Sequence, residues 1–426
     1  MISLILISLG ISSSQASSSA SSHASIAPTT YVDTYWHYRA NLMKGFVRVG
    51  DGAGGCLIAD SRNTTTNTIT FADSTSNQGW YFSVLATELF LLRENRKDTS
   101  GTLKEIACAL KAMSRLGLSI DGYFIRDDVD TAAGKRFPGI QNVVSDFTNE
   151  NPKKKQMSQD QVLDLMMGYR FLALYLNEED QVDQMNLKKE VKRQVRTMLQ
   201  YVRGKPIWHS WVIYGKDGMK VERGPDAKFY SKAFKKIGDE ILGRKGNRGV
   251  RSYFISGAVF WFFKLTIDPL QFYSKTMVLE LASTSGVWGR SAERILKRYD
   301  LKYHAEVFRL INAVIYRRHI RENEGGNKRQ GFHDKIEGYL NLAPYAGITG
   351  DEMPVWGQPN RYYADDRIRS HQYGPTDNPP ALTDEMPGTD FMLLHNLFLI
   401  YYKPAVAKTF APTQEYKDAF QQSCGY

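Results

Sequence analysis

Carboxylate and aromatic residues are concentrated in the segment Asp121–Tyr169. Within it, Asp127 and Asp128 follow Arg126, and an apolar stretch opens with Ser158-Gln-Asp160-Gln161. Paired carboxylates can move protons or hold hydroxyl groups, and aromatic rings offer flat faces on which sugar rings stack. These residue types together indicate a carbohydrate site. The candidate catalytic residues here are Asp128 and Asp160. The candidate substrate-binding residues are Arg126, Asp127 and Gln161.

A structural interpretation of the same residues stays open. Aspartate is common in turns, so Asp127 or Asp128 could simply shape the chain. Ser158 and Gln161 also fit a capping box, in which the two residues bind each other's backbone amides at a helix start. Asp160 would then lie in the first helical turn, where the helix dipole favours a negative charge. The two interpretations are compatible, because the first turn of a helix can open into a cleft.

A second set of candidates lies further along the chain. His209 lies between Trp208 and Trp211, and Arg251 precedes Tyr253 by two positions. An arginine can bind a carboxylate through two hydrogen bonds, and its charge lowers the pKa of a neighbouring tyrosine. We therefore predict His209 and Tyr253 as catalytic residues, and Trp208 and Arg251 as substrate-binding residues. The alternative is a structural histidine, a solvated basic loop and a core tyrosine.

The long polar segment 350–388 is also dense in aromatic, basic and acidic residues and is stiffened by prolines. Loops of this length are usually functional, so we expect this one to form a wall of the cleft. The candidate substrate-binding residues in it are Arg361, Tyr363, His371 and Tyr373.

The charge of the chain indicates the kind of partner it binds. Its 426 residues carry a formal net charge of +10, and the pI is near 9.2. A basic balance favours polyanionic partners. The basic residues are mostly spread out, and no nucleic-acid-binding motif accompanies the short run Lys153-Lys-Lys155. We therefore predict an anionic polysaccharide or oligosaccharide as partner, and no nucleic acid.

The sequence shows no recognisable cofactor motif. It lacks the glycine-rich loops of nucleotide-binding proteins, the nucleophile elbow of serine hydrolases and the paired histidines of zinc peptidases. The three cysteines, Cys56, Cys108 and Cys424, have no metal-binding spacing. We expect no metal and no other cofactor. One disulfide is possible, but the sequence leaves its pairing open.

The N-terminal residues read as a secretion signal. Ile2–Ile11 form a short apolar stretch, which is followed by small residues suited to cleavage. We predict a signal peptide at residues 1–24, a single domain at residues 25–426, and a secreted or periplasmic location. No later segment is apolar over the length that a membrane-spanning helix needs.

Apolar periodicity predicts a mostly helical chain with few strands, one of them at Thr68–Phe71. Some predicted helices are apolar nearly all round and others are amphipathic, which indicates an inner and an outer layer. The predicted helices are Tyr31–Phe46, Gly79–Arg93, Leu103–Leu116, Gln161–Leu176, Leu187–Val202, Tyr253–Leu265, Ser274–Leu281, Ser291–Tyr299, Tyr303–Ile320 and Phe391–Tyr402.

This pattern of buried inner helices, amphipathic outer helices and long polar loops resembles the α/α toroid of many carbohydrate-active enzymes. The local sequences RDDV and MSQDQ look like loop elements of such enzymes. The resemblance implies an all-α fold with about six or seven helical hairpins, and a site built from loops at one end. A secreted, basic chain of this length most resembles the toroid lyases that act on alginate, glucuronan and similar uronate polymers.

Three functions remain open at this point. The favoured one is a lyase that cleaves a uronate polymer by β-elimination, with a tyrosine as base and acid and an arginine or histidine neutralising the carboxylate. The second is an inverting glycoside hydrolase, which uses one protonated and one ionised carboxylate. Asp127 or Asp128 with Asp160 would form that pair. The third is a glycan-binding protein without catalytic activity.

Overall fold

The computed structural model describes only part of the chain. The predicted signal peptide, residues 1–24, lies outside the described residues, as do the predicted helices Tyr253–Leu265, Ser274–Leu281 and Ser291–Tyr299. The described residues are 30–72, 74–118, 120–151, 155–203, 237–244, 306–317, 320, 328–341, 384–385 and 387–424.

The described chain is mostly helical, as the sequence predicts. Helices α2, α5 and α9 are buried on most sides, whereas α3 and α6 each have one apolar face. The helices are α1 Tyr31–Gly45, α2 Ser74–Glu94, α3 Ser100–Arg115, α4 Thr131–Gly134, α5 Gln159–Tyr175, α6 Leu187–Arg203, α7 Glu306–Tyr316, α8 Lys328–Asn341, α9 Thr389–Tyr402 and α10 Gln414–Cys424. A 3-10 helix, Ala405–Thr409, precedes α10.

Short strands accompany the helices, and the strand predicted at Thr68–Phe71 is confirmed. The strands are β1 Ser61–Asn63, β2 Thr68–Thr70, β3 Asn142–Val144, β4 Gln181–Val182, β5 Met185–Asn186 and β6 Asp384–Glu385. One sheet has the order β3-β2-β1-β6, in which only the β2–β3 pair is parallel. Strands β4 and β5 form a separate antiparallel hairpin.

Two consecutive helical hairpins form the first half of the described core. In the first hairpin, α3 runs antiparallel to α2, since Thr102 donates a 2.7 Å hydrogen bond to Glu88 and Tyr81 donates one to Glu105. The second hairpin joins α5 to α6 through β4 and β5. Within it, Tyr169 of α5 donates a 2.6 Å hydrogen bond to the side-chain oxygen of Gln194 in α6.

The inner helices α2 and α5 run parallel to each other in close contact. Phe82 packs on Tyr169 with ring centroids 5.3 Å apart, and Phe90 packs on Tyr175 at 4.8 Å. The two backbones lie close together at Gly79, because a Cβ added there would lie 2.2 Å from backbone atoms of Asp164. A glycine is needed here to let the two backbones meet.

The outer helices α3 and α6 also run in the same direction. The Leu110 carbonyl accepts a 2.9 Å hydrogen bond from Gln194, and the Leu118 carbonyl accepts one of 2.8 Å from Thr197. The two hairpins are therefore stacked in the same orientation.

The last described helices pack against the first. Helix α9 runs antiparallel to α1, since Tyr38 stacks on Phe391 at 4.8 Å and Tyr31 meets Phe398 at 6.1 Å. It also contacts α2, where Asn396 donates a 3.1 Å hydrogen bond to Thr87. Helix α10 covers the other side of α1. The two ends of the described chain thus share one core.

A fully buried ionic cluster lies where these helices meet. Arg39 of α1 donates to Glu88 of α2 at 2.6 Å and to Glu105 of α3 at 2.7 Å, and all three side chains are essentially unexposed. Burial opposes the charge of Arg39, but Glu105 and Glu88 together raise the pKa of this guanidinium above its usual value. The three charges therefore depend on one another inside the core.

Tyrosine hydroxyl groups complete this cluster. Tyr35 donates to Glu88, and Tyr81 and Tyr416 donate to Glu105. Burial, followed by the charge of the neighbouring glutamate, raises the pKa of each tyrosine well above its usual value. All three hydroxyl groups therefore stay protonated and serve as hydrogen-bond donors.

A disulfide joins Cys56, in the loop after α1, to Cys108 of α3. It closes a stretch of chain across a sequence separation of 52 residues. Cys424 is a free and exposed thiol. The structure thereby decides the pairing that the sequence leaves open.

Candidate functional site

Loops from several parts of the chain gather at the end of the molecule where α2, α5 and α9 begin. Because α3 is antiparallel to α2, the loop that follows α3 lies at this end too. Strand β6, which leads into α9, pairs there with β1. We call this region the loop end. It comprises residues 47–72, 117–158 and 384–388, as far as they are described, and the first two turns of α2, α5 and α9. The segment that the sequence predicts as a carbohydrate site lies at the loop end.

Asp127 is buried and fully engaged with its own loop. Its Oδ1 accepts hydrogen bonds from the Ser145 hydroxyl at 2.6 Å and from the Val129 amide at 3.0 Å. Its Oδ2 accepts the amides of Asp146 at 2.9 Å and Phe147 at 3.3 Å. Burial raises the pKa of Asp127, although these hydrogen bonds favour the charged form. The carboxyl group therefore holds the turn at 145–147 in place.

Asp128 connects a different pair of elements. It forms an ion pair with Arg115 at the end of α3, and its Oδ1 accepts the Gly54 amide at 2.9 Å. Arg115 also donates to the Gly55 carbonyl at 2.9 Å. The carboxylate thus fixes the glycine-rich loop 50–55 to α3.

The guanidinium group of Arg126 is bound by other residues of the loop end. Its Nε donates to the Gln156 carbonyl at 2.8 Å, and its Nη1 lies 3.3 Å from the Asp146 carboxylate. About a fifth of the side chain is exposed, at 18%. The substrate contact predicted for Arg126 stays a prediction.

The start of α5 has the local structure that the sequence predicts. The Ser158 amide donates to the side-chain oxygen of Gln161 at 3.2 Å, and Gln161 is buried. Asp160 lies in the first turn of α5. Gln161 thereby stabilises the helix start, and the substrate role predicted for it stays a prediction.

Asp164 is a polar residue of the loop end that sequence reasoning missed. It lies one helical turn beyond Asp160, is 6% exposed, and accepts a hydrogen bond from Ser76 of α2. The neighbouring Asn77 donates to Asp60 at 2.9 Å. The signal that could have identified Asp164 is its spacing of four residues from Asp160, which places both on one helix face.

Phe147 is an exposed aromatic side chain of the loop end, and sequence reasoning gave it no specific role. Its side chain is 41% exposed, and the ammonium group of Lys155 lies 5.7 Å from the ring centroid. The ring is presented by the turn that Asp127 holds. An aromatic face beside a cation can contact a sugar ring that carries a carboxylate.

A small cavity adjoins the loop end between the glycine-rich loop 50–55 and α4. Its lining includes Arg48, Phe71, Val129 and Arg136. Its volume of about 20 Å³ has room for about one water molecule and none for a sugar ring. This cavity is therefore too small to be a carbohydrate site.

Three side chains of α8 could share a cation. The donor atoms of His333, Asp334 and Glu337 lie within 4.8 Å of one another, and His333 Nδ1 is 3.1 Å from an Asp334 oxygen. All three come from one helix and are partly exposed, which is also the arrangement of an ordinary surface ion pair. We assign no metal to them.

All predicted site residues of the second set and of the segment 350–388 lie outside the described residues. Their positions relative to the loop end therefore stay predictions. They are Trp208, His209, Arg251, Tyr253, Arg361, Tyr363, His371 and Tyr373.

Comparison of the chain with protein-family models, with curated proteins and with solved structures found no match. Among the described helices, none is long and apolar enough to cross a membrane.

Proposed function

We propose that this chain is a secreted or periplasmic enzyme that degrades a uronic-acid-containing polysaccharide by β-elimination. The observation that carries the proposal is the repeated hairpin, in which the parallel inner helices α2 and α5 both begin at the loop end. The polar loops that the sequence predicts as a carbohydrate site gather at that same end.

The packing of the described helices supports an α/α toroid as the architecture. Helices α9, α2 and α5 are neighbours, and α3 and α6 lie outside α2 and α5. A toroid closes by bringing its last hairpin against its first, and the contacts of α9 and α10 with α1 fit that closure. The predicted helices between Tyr253 and Tyr299 would supply further hairpins.

The chemistry of a lyase needs three functions. A cation or amide must neutralise the substrate carboxylate, a base must remove the proton beside it, and an acid must protonate the leaving oxygen. Arg251, Arg361 or His209 would neutralise the carboxylate. Tyr253, Tyr363 or Tyr373 would act as base and acid. The net charge of +10 supports an anionic substrate.

The contacts of Asp127 and Asp128 favour the lyase over the inverting hydrolase. A hydrolase of that type needs two available carboxyl groups roughly 6.5–9.5 Å apart, one as acid and one as base. Asp127 has both oxygens occupied by loop hydrogen bonds, and Asp128 is paired with Arg115. Both carboxyl groups therefore stabilise the loop end, and a catalytic role would require these contacts to break.

The deciding experiment incubates the purified protein with alginate, glucuronan and ulvan in turn. A lyase creates unsaturated uronate ends, so we expect the ultraviolet absorbance of these ends to rise together with the number of reducing ends. Reducing ends without that absorbance would overturn the lyase in favour of a hydrolase. Binding without either signal would indicate a glycan-binding protein.

Two variants with matched controls assign the roles. Tyr253→Phe should abolish β-elimination, whereas Tyr175→Phe, at the opposite end of α5, should leave it unchanged. Asp160→Asn should weaken substrate binding while cleavage persists, and Asp183→Asn in the exposed β4–β5 turn is its control. Complete loss of activity in Asp160→Asn with a fully active Tyr253→Phe would instead point to the hydrolase.

A further inference from the structure

We infer that Phe147 and Lys155 form a binding subsite for one uronate residue of the polymer. This inference rests on the proposed function and adds to it a named point of substrate contact. The sugar ring would lie against the exposed part of the Phe147 ring, and its carboxylate would approach the Lys155 ammonium. Neither residue belongs to the predicted catalytic set.

The exposure of Phe147 is the first observation behind this subsite. Three large apolar side chains are strongly exposed in the described ranges, and Phe147 is the aromatic one among them; the other two are Ile120 and Val144. A phenylalanine ring left 41% exposed gives up part of the free energy that burial would supply. A ligand that covers the ring recovers that free energy.

The rigidity of the turn beneath the ring is the second observation. The Phe147 amide donates to Asp127 Oδ2 at 3.3 Å and to the Ser145 hydroxyl at 3.0 Å. Asp127 is 1% exposed, so its hydrogen bonds to the turn are shielded from water. The backbone that carries the ring is therefore fixed before any ligand arrives, which lowers the entropy lost on binding.

The positive charge of Lys155 is the third observation, and it indicates which kind of sugar binds. The Lys155 ammonium lies 5.7 Å from the Phe147 ring centroid. Because this ammonium lies over the ring, a uronate that packs on the exposed part of the ring brings its carboxylate within reach of the flexible lysine side chain, and the cation–π contact is exchanged for an ion pair. A neutral sugar would keep the stacking contact and lose the ionic one. The subsite thus favours a uronate over a neutral residue.

The stacking contact is tested with Phe147→Ala and two matched variants. On the polymer that the wild-type protein cleaves, we expect Phe147→Ala to raise KM on the order of tenfold with little change in kcat. Phe147→Trp keeps an aromatic face and should retain the wild-type KM. Val144→Ala removes another exposed apolar side chain of the same loop end and should change neither constant.

The ionic contact is tested with Lys155→Gln in a binding assay. Affinity electrophoresis in gels that contain glucuronan should show weaker retention of this variant than of the wild type. In gels that contain carboxyl-reduced glucuronan, which is neutral, the two proteins should be retained equally, each relative to its own mobility in a gel without polymer. Equal weakening of Lys155→Gln in both gels would overturn the carboxylate contact.

The outcomes separate this inference from the function on which it rests. If the wild-type protein cleaves a uronate polymer and Phe147→Ala has the same KM, the subsite is overturned and the lyase stands. If the wild-type protein neither cleaves nor binds any of the polymers, the function and the subsite fall together. Unchanged thermal unfolding of Phe147→Ala would show that its effect is not a folding defect.

Discussion

Arg39 shows how a single buried charge can join most of the described core. Its guanidinium contacts Glu88 of α2, Glu105 of α3 and Tyr416 of α10. An unpaired charge would be unstable in this buried position, since burying it costs several kcal/mol even after relaxation. The cluster is therefore stable only as a complete set.

Arg39→Met is expected to destabilise the protein by about 3–5 kcal/mol, because it leaves two buried carboxylates without their cation. Urea denaturation of the variant and the wild type measures the difference. Arg193→Met is the matched control, since Arg193 pairs with Glu190 at 2.7 Å but is 46% exposed. Such a surface pair contributes about 0–1 kcal/mol, so equal losses in the two variants would contradict the role of burial.

The buried His395 makes stability depend on pH. Burial lowers its pKa from 6.5 to about 4, so the folded protein keeps this ring neutral where the unfolded chain protonates it. Stability from this residue is present above pH 6.5 and is lost as the pH falls from 6.5 to about 4. His395→Phe keeps a ring beside Tyr35 and should flatten the unfolding free energy over this pH range. A slope identical to that of the wild type would refute the assignment.

The hydrogen-bond partners of a site residue could be predicted only where they are close to it in sequence. The Ser158–Gln161 contact spans three residues, and the sequence identifies it correctly. Asp127 and Asp128 are visible as a pair, but their partners Ser145 and Gly54 lie 18 and 74 residues away. Their structural engagement could therefore not be inferred from local pattern.

At the scale of elements, the contact between α2 and α5 depends on two glycines. Gly79 and Gly168 let the helices approach so closely that Cβ atoms would meet the opposing backbone or side-chain stem. The parallel direction of these helices places both helix starts, and therefore Ser76 and Asp164, at the loop end. Helix packing thereby decides which loops can share a site.

Gly79→Ala should cost about 3 kcal/mol or more, because its Cβ would lie 2.2 Å from the Asp164 backbone, which cannot rotate away. Chemical denaturation monitored by circular dichroism measures this loss. Gly331→Ala in α8 is the control, since nothing lies within 4 Å of its Cβ. That change should stabilise the protein by about 1 kcal/mol through helix propensity. A tolerated Gly79→Ala would contradict the close approach of the two helices.

Among the described helices, the sequence predicts α1, α2, α3, α5, α6, α7 and α9 and misses α4, α8 and α10. The starts of the predicted helices are less accurate than their existence. Apolar periodicity finds α2 from Gly79 onward, whereas the helix begins at Ser74. The residues before Gly79 are polar and carry no apolar signal, but they are buried by the loop end, where Ser74 donates to the Ile58 carbonyl. Strands β3 and β6 are too short for alternation to predict, and they form because β2 and β1 are beside them.

At the scale of the whole molecule, the Cys56–Cys108 disulfide ties the loop end to the outer layer. Replacing both cysteines by serine should lower stability by about 2–4 kcal/mol, because the unfolded chain gains freedom. Differential scanning calorimetry would record this as a lower unfolding temperature. Cys424→Ser, at the exposed free thiol, should leave that temperature unchanged. An equal effect of both changes would rule out a stabilising disulfide.

The arrangement of the helices in space could not be predicted from the sequence. The sequence predicts a mixture of all-apolar and amphipathic helices, and the described part contains both kinds. The pairing of α1 with α9 and α10 joins residues separated by more than three hundred positions, as Tyr35 and Asn396 show. Periodicity carries no information about such contacts, so the contact between the two ends of the described chain became visible only in the structure.

The contacts of Arg39 also set an order of events during synthesis. The ribosome releases α1, α2 and α3 long before it has made Tyr416, which donates to Glu105 and accepts from Arg39. Until then the apolar face of α1 that α10 covers, including Trp36, is open to water. The core around Arg39 is therefore complete only once α10 has been synthesised, because Tyr416 supplies its last contacts.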